Sequence, residues 1–146
     1  MTGPPLDTAM GRELSLEDRL SIHELVSLHG HLMDDGAFER LVELFTPDVV
    51  YDVSSMGGGE LVGIAAVAEA AKAMGDRNPL GHHVTNVVIV TSGGSEASVR
   101  SKGIGVLADG SVGSVVYEDL VVRVPDGWRI TRRRALPRRT PLQHDG

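Results

Sequence analysis

Side chains able to move a proton gather at a few places in this chain. Asp34 and Asp35 close an apolar run of helical period in which His29 and His31 also lie, while His82 and His83 open a run rich in β-branched residues. An imidazole titrates near pH ~6.5, so it can take and return a proton at neutral pH with little tuning. Neighbouring residues in a strand face opposite sides, so one of His82 and His83 is expected to point inward and the other outward. Asp34 and Asp35 read equally well as solvated acids at a helix end. Tyr51 falls in step with Val49 and Val53, and its hydroxyl either polarises a carbonyl or belongs to an ordinary wall residue. Tyr117, Glu118 and Asp119 place acids on both faces of a later strand, so at least one carboxylate is expected inside. A buried acid needs a partner, which Arg100, Arg123 or Arg133 could supply.

Other chemistries lack their residues. His29 and His31 are two apart, without the four-residue spacing of a helical zinc pair, and adjacent strand histidines cannot both reach one ion. No metal or other cofactor is expected. Gly57-Gly58-Gly59 is followed by no Lys-Ser/Thr, so it is no phosphate loop, and no G-x-S-x-G elbow occurs. What remains is cofactor-free acid–base chemistry.

The elements that must position these groups follow from period and punctuation. Residues 1–14 carry Gly, Pro and Thr without periodicity and read as a flexible leader. Ser15 reads as an N-cap with Glu17 and Asp18 in the first turn, and apolar residues recur at three- and four-residue steps from Leu16 to Met33. A second short helix is expected over Ala37 to Phe45, a strand over Val49 to Val53, and an alanine-rich third helix over Gly63 to Met74. Four long strands follow, His82 to Thr91, Glu96 to Leu107, Ser111 to Val124 and Trp128 to Arg134, separated by turn residues. Helices first and an antiparallel meander after them predict an α+β fold, with the helices on the concave side of a twisted sheet. Trp128 and Ile130 read as core. Residues 15–136 are taken as one domain and 137–146 as a flexible tail.

Composition bounds the partners. The chain has 146 residues, 41% apolar and 23% charged, which suits one globular domain, and no cysteine, so no disulfide. A net charge of −6 argues against a whole-domain grip on nucleic acid. Arg129, Arg132, Arg133, Arg134, Arg138 and Arg139 crowd the end, but no aromatic residues interleave with them, so they read as solvated. No secretory signal and no membrane-spanning apolar run is present, and a cytoplasmic, soluble protein is expected.

Three stretches resemble one family in this order and at these separations: "LSIHELVSLHGHLMDDGAFERLVELF" with "TPDVVYD", "GHHVTNVVIV" and "PDGWRITRRR". They are similar to the SnoaL-like branch of the nuclear transport factor 2-like superfamily. The resemblance implies a cone-shaped domain around a pocket for a small hydrophobic molecule, assembled as a homo-oligomer, a dimer before a trimer. Members include scytalone dehydratase, bile-acid dehydratase, a hexachlorocyclohexane dehydrochlorinase, ketosteroid isomerase, limonene epoxide hydrolase and polyketide cyclases. Others perform no chemistry.

The resemblance also implies site residues. Asp34 matches the aspartate that the dehydratase branch places at the end of the first helix, and His83 matches its strand histidine, so these two are expected to pair as the catalytic dyad. A carboxylate accepting the Nδ1 proton fixes the tautomer and leaves Nε2 to accept a proton from carbon. His29 stands where dehydratase relatives often carry a tyrosine, a departure that questions a tyrosine-assisted mechanism. Arg133 matches a ligand-contacting position of dehydrochlorinase relatives. Tyr51, His29, Glu118, Arg133 and Tyr117 are therefore the expected substrate-binding residues. The expected activity is a lyase or isomerase acting on a polyketide, steroid or terpenoid intermediate. The alternatives are a non-catalytic ligand-binding or subunit-interaction domain, and an epoxide hydrolase marked by Asp34 or Glu118 held by Arg100.

Overall fold

Ser15 does cap the first helix: its hydroxyl accepts the backbone N–H of Asp18 at 3.0 Å in a computed structural model that describes residues 14–142. The leader before residue 14 and the last four residues of the expected tail lie outside the described residues. Helix α1 runs Leu16–Asp34 and buries Ile22, Leu25, Val26, His29 and Leu32 on one side. The second expected helix is a six-residue 3-10 turn, Phe38–Glu43, which anchors Leu41 in the core. Two apolar repeats are enough to fold back a turn but too few to nucleate an α-helix. Helix α2, Ile64–Met74, buries Val67 and Ala68.

The strands are β1 Phe45–Asp52, β2 Glu60–Val62, β3 Gly81–Ser92, β4 Glu96–Val106, β5 Val112–Val124 and β6 Gly127–Arg138. They form one sheet in the order β2-β1-β6-β5-β4-β3. The meander β3 to β6 is antiparallel as the sequence pattern requires, whereas β1 enters beside β6 in parallel and pairs antiparallel with β2 on its other side. β1 starts at Phe45, four residues before the expected strand. Its register against β6 shifts between Phe45 and Val50, the stretch that holds Pro47, which has no N–H to give the ladder.

Bulges bend the sheet. β3 shifts register between Thr85 and Val88 and again between Ile89 and Thr91, with Asn86 at φ 55. Each extra residue kinks its strand and adds right-handed twist. The result is a curled, unclosed sheet around the helices, the α+β arrangement expected from the sequence. Ala97 and Val99 of β4, Val121 of β5 and Trp128 and Ile130 of β6 meet α1 and the 3-10 turn in one core. Trp128 also donates its indole N–H to Asp18, and the Arg123 guanidinium lies 4.5 Å over its ring while bonding both Asp18 oxygens. This clamp ties the start of α1 to the turn between β5 and β6. No helix among the described residues is long and apolar enough to cross a membrane.

Candidate functional site

The last turn of α1 meets the first residues of β3 at a single carboxylate. His82 Nδ1 lies 2.6 Å from Asp34 Oδ1, and the His82 backbone N–H reaches both Asp34 oxygens at 3.1 and 3.0 Å. Asp34 thus holds the strand and its imidazole together. With the proton on Nδ1, the imidazole donates to Asp34 and Nε2 carries a lone pair. Both side chains keep about a quarter of their surface open, 22% for His82 and 24% for Asp34. They line a cleft of about 210 Å³ with Ser27, His31, His83 and Val84.

The expected pairing of Asp34 with His83 is corrected by this geometry. His82 turns both its backbone N–H and its ring toward Asp34, whereas His83, which is exposed, lines the same cleft without a hydrogen bond to Asp34. Most residues lining the cleft are polar, whereas the family resemblance implies a pocket for a hydrophobic molecule.

Behind His82 stands a buried polar layer. The His29 ring lies 5.7 Å from the rings of both His82 and Tyr117 and 6.4 Å from that of Tyr51. Arg133 stacks 4.2 Å over Tyr117 and gives Nε and Nη2 to the two oxygens of Asp119 at 2.7 and 2.8 Å, with both side chains fully buried. Burial first, then the neighbouring Arg133 and His82, hold His29 well below the usual imidazole range, so it is neutral at physiological pH. Burial raises both phenols, Tyr51 and Tyr117, above the usual range and keeps them protonated as donors. For Arg133 burial opposes the charge, but Asp119 overcomes it and raises the guanidinium.

Of the expected ligand-lining residues, His29, Tyr51, Tyr117 and Arg133 therefore come together inside, and Glu118 does not. Glu118 points to the outer face, where it pairs with Arg134 at 3.2 Å and Arg100 at 3.9 Å. Asp119 is the inward acid, and among the candidate partners it is Arg133 that pairs it. Arg133 is likewise an exception to the solvated reading of the C-terminal arginines. A larger hollow, about 400 Å³, lies on that outer face between Arg100, Arg132 and Arg134. Its half-exposed acid, Glu118, is held by Arg134 and Arg100, and Arg132 pairs with Asp52 and Glu60, so the hollow offers no free carboxylate base.

Sequence reasoning overlooked Ser101. It is fully buried on β4 in step with Ala97 and Val99, directly across from Tyr117, and that alternation was the available signal. Gly103, two residues on, has no Cβ because Tyr117 occupies the space: an added Cβ would fall 2.6 Å from Tyr117 Cε2.

The curled, unclosed sheet around a long first helix is that of the NTF2-like, cystatin-like class of α+β domains. This chain belongs to the SnoaL-like domain family, whose pattern matches residues 14–134. An uncharacterized protein of Mycobacterium tuberculosis is 28% identical over 133 residues, covering 88% of this chain and 90% of its own length. A crystal structure of an NTF2-like protein with a cystatin-like fold from Novosphingobium aromaticivorans is 30% identical, with a TM-score of 0.70 over 84% of this chain and 82% of that one. The crystal structure of LinA shares the fold at 21% identity, with a TM-score of 0.72 over 87% of this chain and 90% of that one.

Proposed function

We propose that this domain is a cofactor-independent lyase or isomerase that removes a proton from carbon in a small oxygenated molecule. The observation that carries the reading is the contact between His82 Nδ1 and Asp34 Oδ1 at the edge of a cleft. Nε2 of His82 takes the proton, and the electron pair left on carbon forms a double bond. In an elimination the leaving hydroxyl departs as water after the imidazolium returns the proton to it; in an isomerisation the proton returns to a different carbon. Asp34 holds the ring in one tautomer and stabilises the imidazolium while it lasts. Tyr51 and neutral His29 are the candidate donors to a substrate oxygen on which negative charge develops.

The cleft volume, about 210 Å³, falls below the roughly 300–1,000 Å³ of drug-sized pockets. A compact molecule, or one end of a larger one, suits it better than an enclosed polycyclic substrate. An epoxide hydrolase is less well supported. Glu118 and Arg100 lie on the outer face, and the inward carboxylate, Asp119, has both oxygens committed to Arg133.

The test needs no knowledge of the product. Small cyclic ketones and enones are incubated with the protein in D₂O, and loss of the α-proton signal is followed by NMR. His82→Ala and Asp34→Asn are each expected to slow exchange more than a hundredfold while His83→Ala leaves it unchanged. Equal rates in all four proteins would leave a ligand-binding domain as the better reading.

A further inference from the structure

The core-facing residues of β3 break step once. Val84, Val87 and Ile89 pack against the core, while Val88 and Val90 are 57% and 59% exposed. A strand repeats every two residues, so Val87 and Ile89 by themselves require Thr85, His83 and Gly81 on the inner face. The inner positions continue instead at Val84 and His82, whose ring lies 5.7 Å from that of buried His29. A step of three between Val84 and Val87 means that one residue is extra.

That residue is Asn86. Thr85 lies opposite Lys102 and Val88 opposite Arg100, which leaves two residues, Asn86 and Val87, across from the single residue Ser101. Asn86 sits at φ 55 and is the one non-glycine residue with positive φ among the described residues. The short polar side chain of asparagine tolerates left-handed backbone, whereas a β-branched residue is a steric outlier there. Asn86 is exposed, so what it contributes is backbone conformation and not core packing.

With the bulge in place, His82 lies opposite Gly105, and His83 lies opposite the exposed Ile104. If the strand kept its register from Val88 onward and lost the bulge, every earlier residue would move one place along β4, bringing His83 opposite Gly105 and His82 opposite Val106. Such a slip turns side chain and backbone N–H together, so the groups offered to Asp34 would be those of His83.

We propose that the bulge at Asn86 selects His82 over His83 as the partner of Asp34, and that Asn86 is a positioning residue acting through the phase of β3. The inference rests on the reading of His82 and Asp34 as the reactive pair and names the residue that decides which imidazole joins it.

The test reads facing directly, by assigned imidazole ¹H–¹⁵N spectra of the full chain with its histidines neutral. In the native chain and in Asn86→Gly, which can keep the left-handed turn, His82 is expected to hold its proton on Nδ1 and to show nuclear Overhauser contacts with the His29 ring. In Asn86→Val both signatures are expected to leave His82 and appear on His83. Deleting Asn86 removes the extra residue while Thr85 to His82 keep their partners on β4, so His82 is expected to retain both signatures. A folded Asn86→Val protein with the native His82 spectrum, or with neither imidazole in contact, would overturn the proposal. So would an Asn86→Gly protein that has lost the His82 signatures, or a deletion that hands them to His83. If Asn86→Val does not fold, Asn86→Gly and the deletion decide. Failure of the dyad reading appears separately, as unchanged deuterium exchange in His82→Ala, and leaves these spectra as expected.

Discussion

Gly30 of α1 lies directly against the main chain of His82, so closely that a Cβ on residue 30 would fall onto the His82 carbonyl oxygen. Helix and strand touch backbone to backbone there. One turn further along the same helix face, Asp34 reaches the N–H and ring of His82. The glycine thus sets the distance across which the carboxylate holds the imidazole.

Gly30→Ala should force α1 away from β3. The overlap is with backbone, so it cannot be relieved by a side-chain rotation, and a destabilisation of about 1–3 kcal/mol is expected in denaturant unfolding. Proton exchange should fall at least tenfold, because displacements of about 1 Å in a reacting geometry can cost on the order of a hundredfold. Native exchange rates in a stably folded Gly30→Ala protein would show that the close approach does not position the pair.

Acid should destabilise the protein partly through His29. Its folded pKa is depressed, so below pH 6.5, the ordinary imidazole value, the unfolded chain binds a proton that the folded chain refuses. The unfolded state then holds more protons, and stability falls as pH drops, by at most about 1.4 kcal/mol per pH unit for this one group. His29→Gln, neutral at every pH, should flatten the stability profile between pH 6.5 and the acid limb. An unchanged profile would mean that His29 charges freely in the folded state.

Two ion pairs on adjacent positions of the same strands should behave differently. Asp119→Asn leaves the Arg133 guanidinium buried without its counter-ion and is expected to cost about 3–5 kcal/mol. At roughly 2–4 °C per kcal/mol for a chain of this size, thermal melting should show a drop on the order of 10 °C. Glu118→Gln removes a half-exposed partner of Arg134 and Arg100 and should cost about 0–1 kcal/mol. Equal shifts in melting temperature would contradict the inward and outward assignment of the two acids.

Acid lability should have a second, deeper source at the start of α1. The hydrogen bonds from Arg123 hold the Asp18 carboxyl well below the usual carboxylate range. Its stabilisation is complete above pH 3.8, the ordinary value, and is lost as pH falls toward the folded pKa. Asp18→Asn should therefore lower the melting temperature at neutral pH and narrow its difference from the native chain in strong acid, measured by circular dichroism.

Much of the architecture was legible because it follows from local pattern. Ser15 as a cap, the period of α1, the alanine-rich α2 and the four turn-bounded strands all appear near their expected places. β2 was missed because three residues, Glu60–Val62, carry no measurable alternation, and they pair only because β1 runs beside them. The parallel entry of β1 next to β6 was also invisible, since it joins segments about 80 residues apart in the chain.

The residue types of the candidate site could be read from the sequence, and so could the rule that within each of the pairs His82/His83 and Glu118/Asp119 one member points in. Which member does could not. A strand's alternation has two phases of equal local cost, and the choice between them is made by what the whole sheet packs against. Here α1 brings Asp34 to His82, and β6 brings Arg133 to Asp119. Local propensity writes the elements, but facing is decided by contacts between segments far apart in the chain, and those exist only once the sheet has curled around the helix.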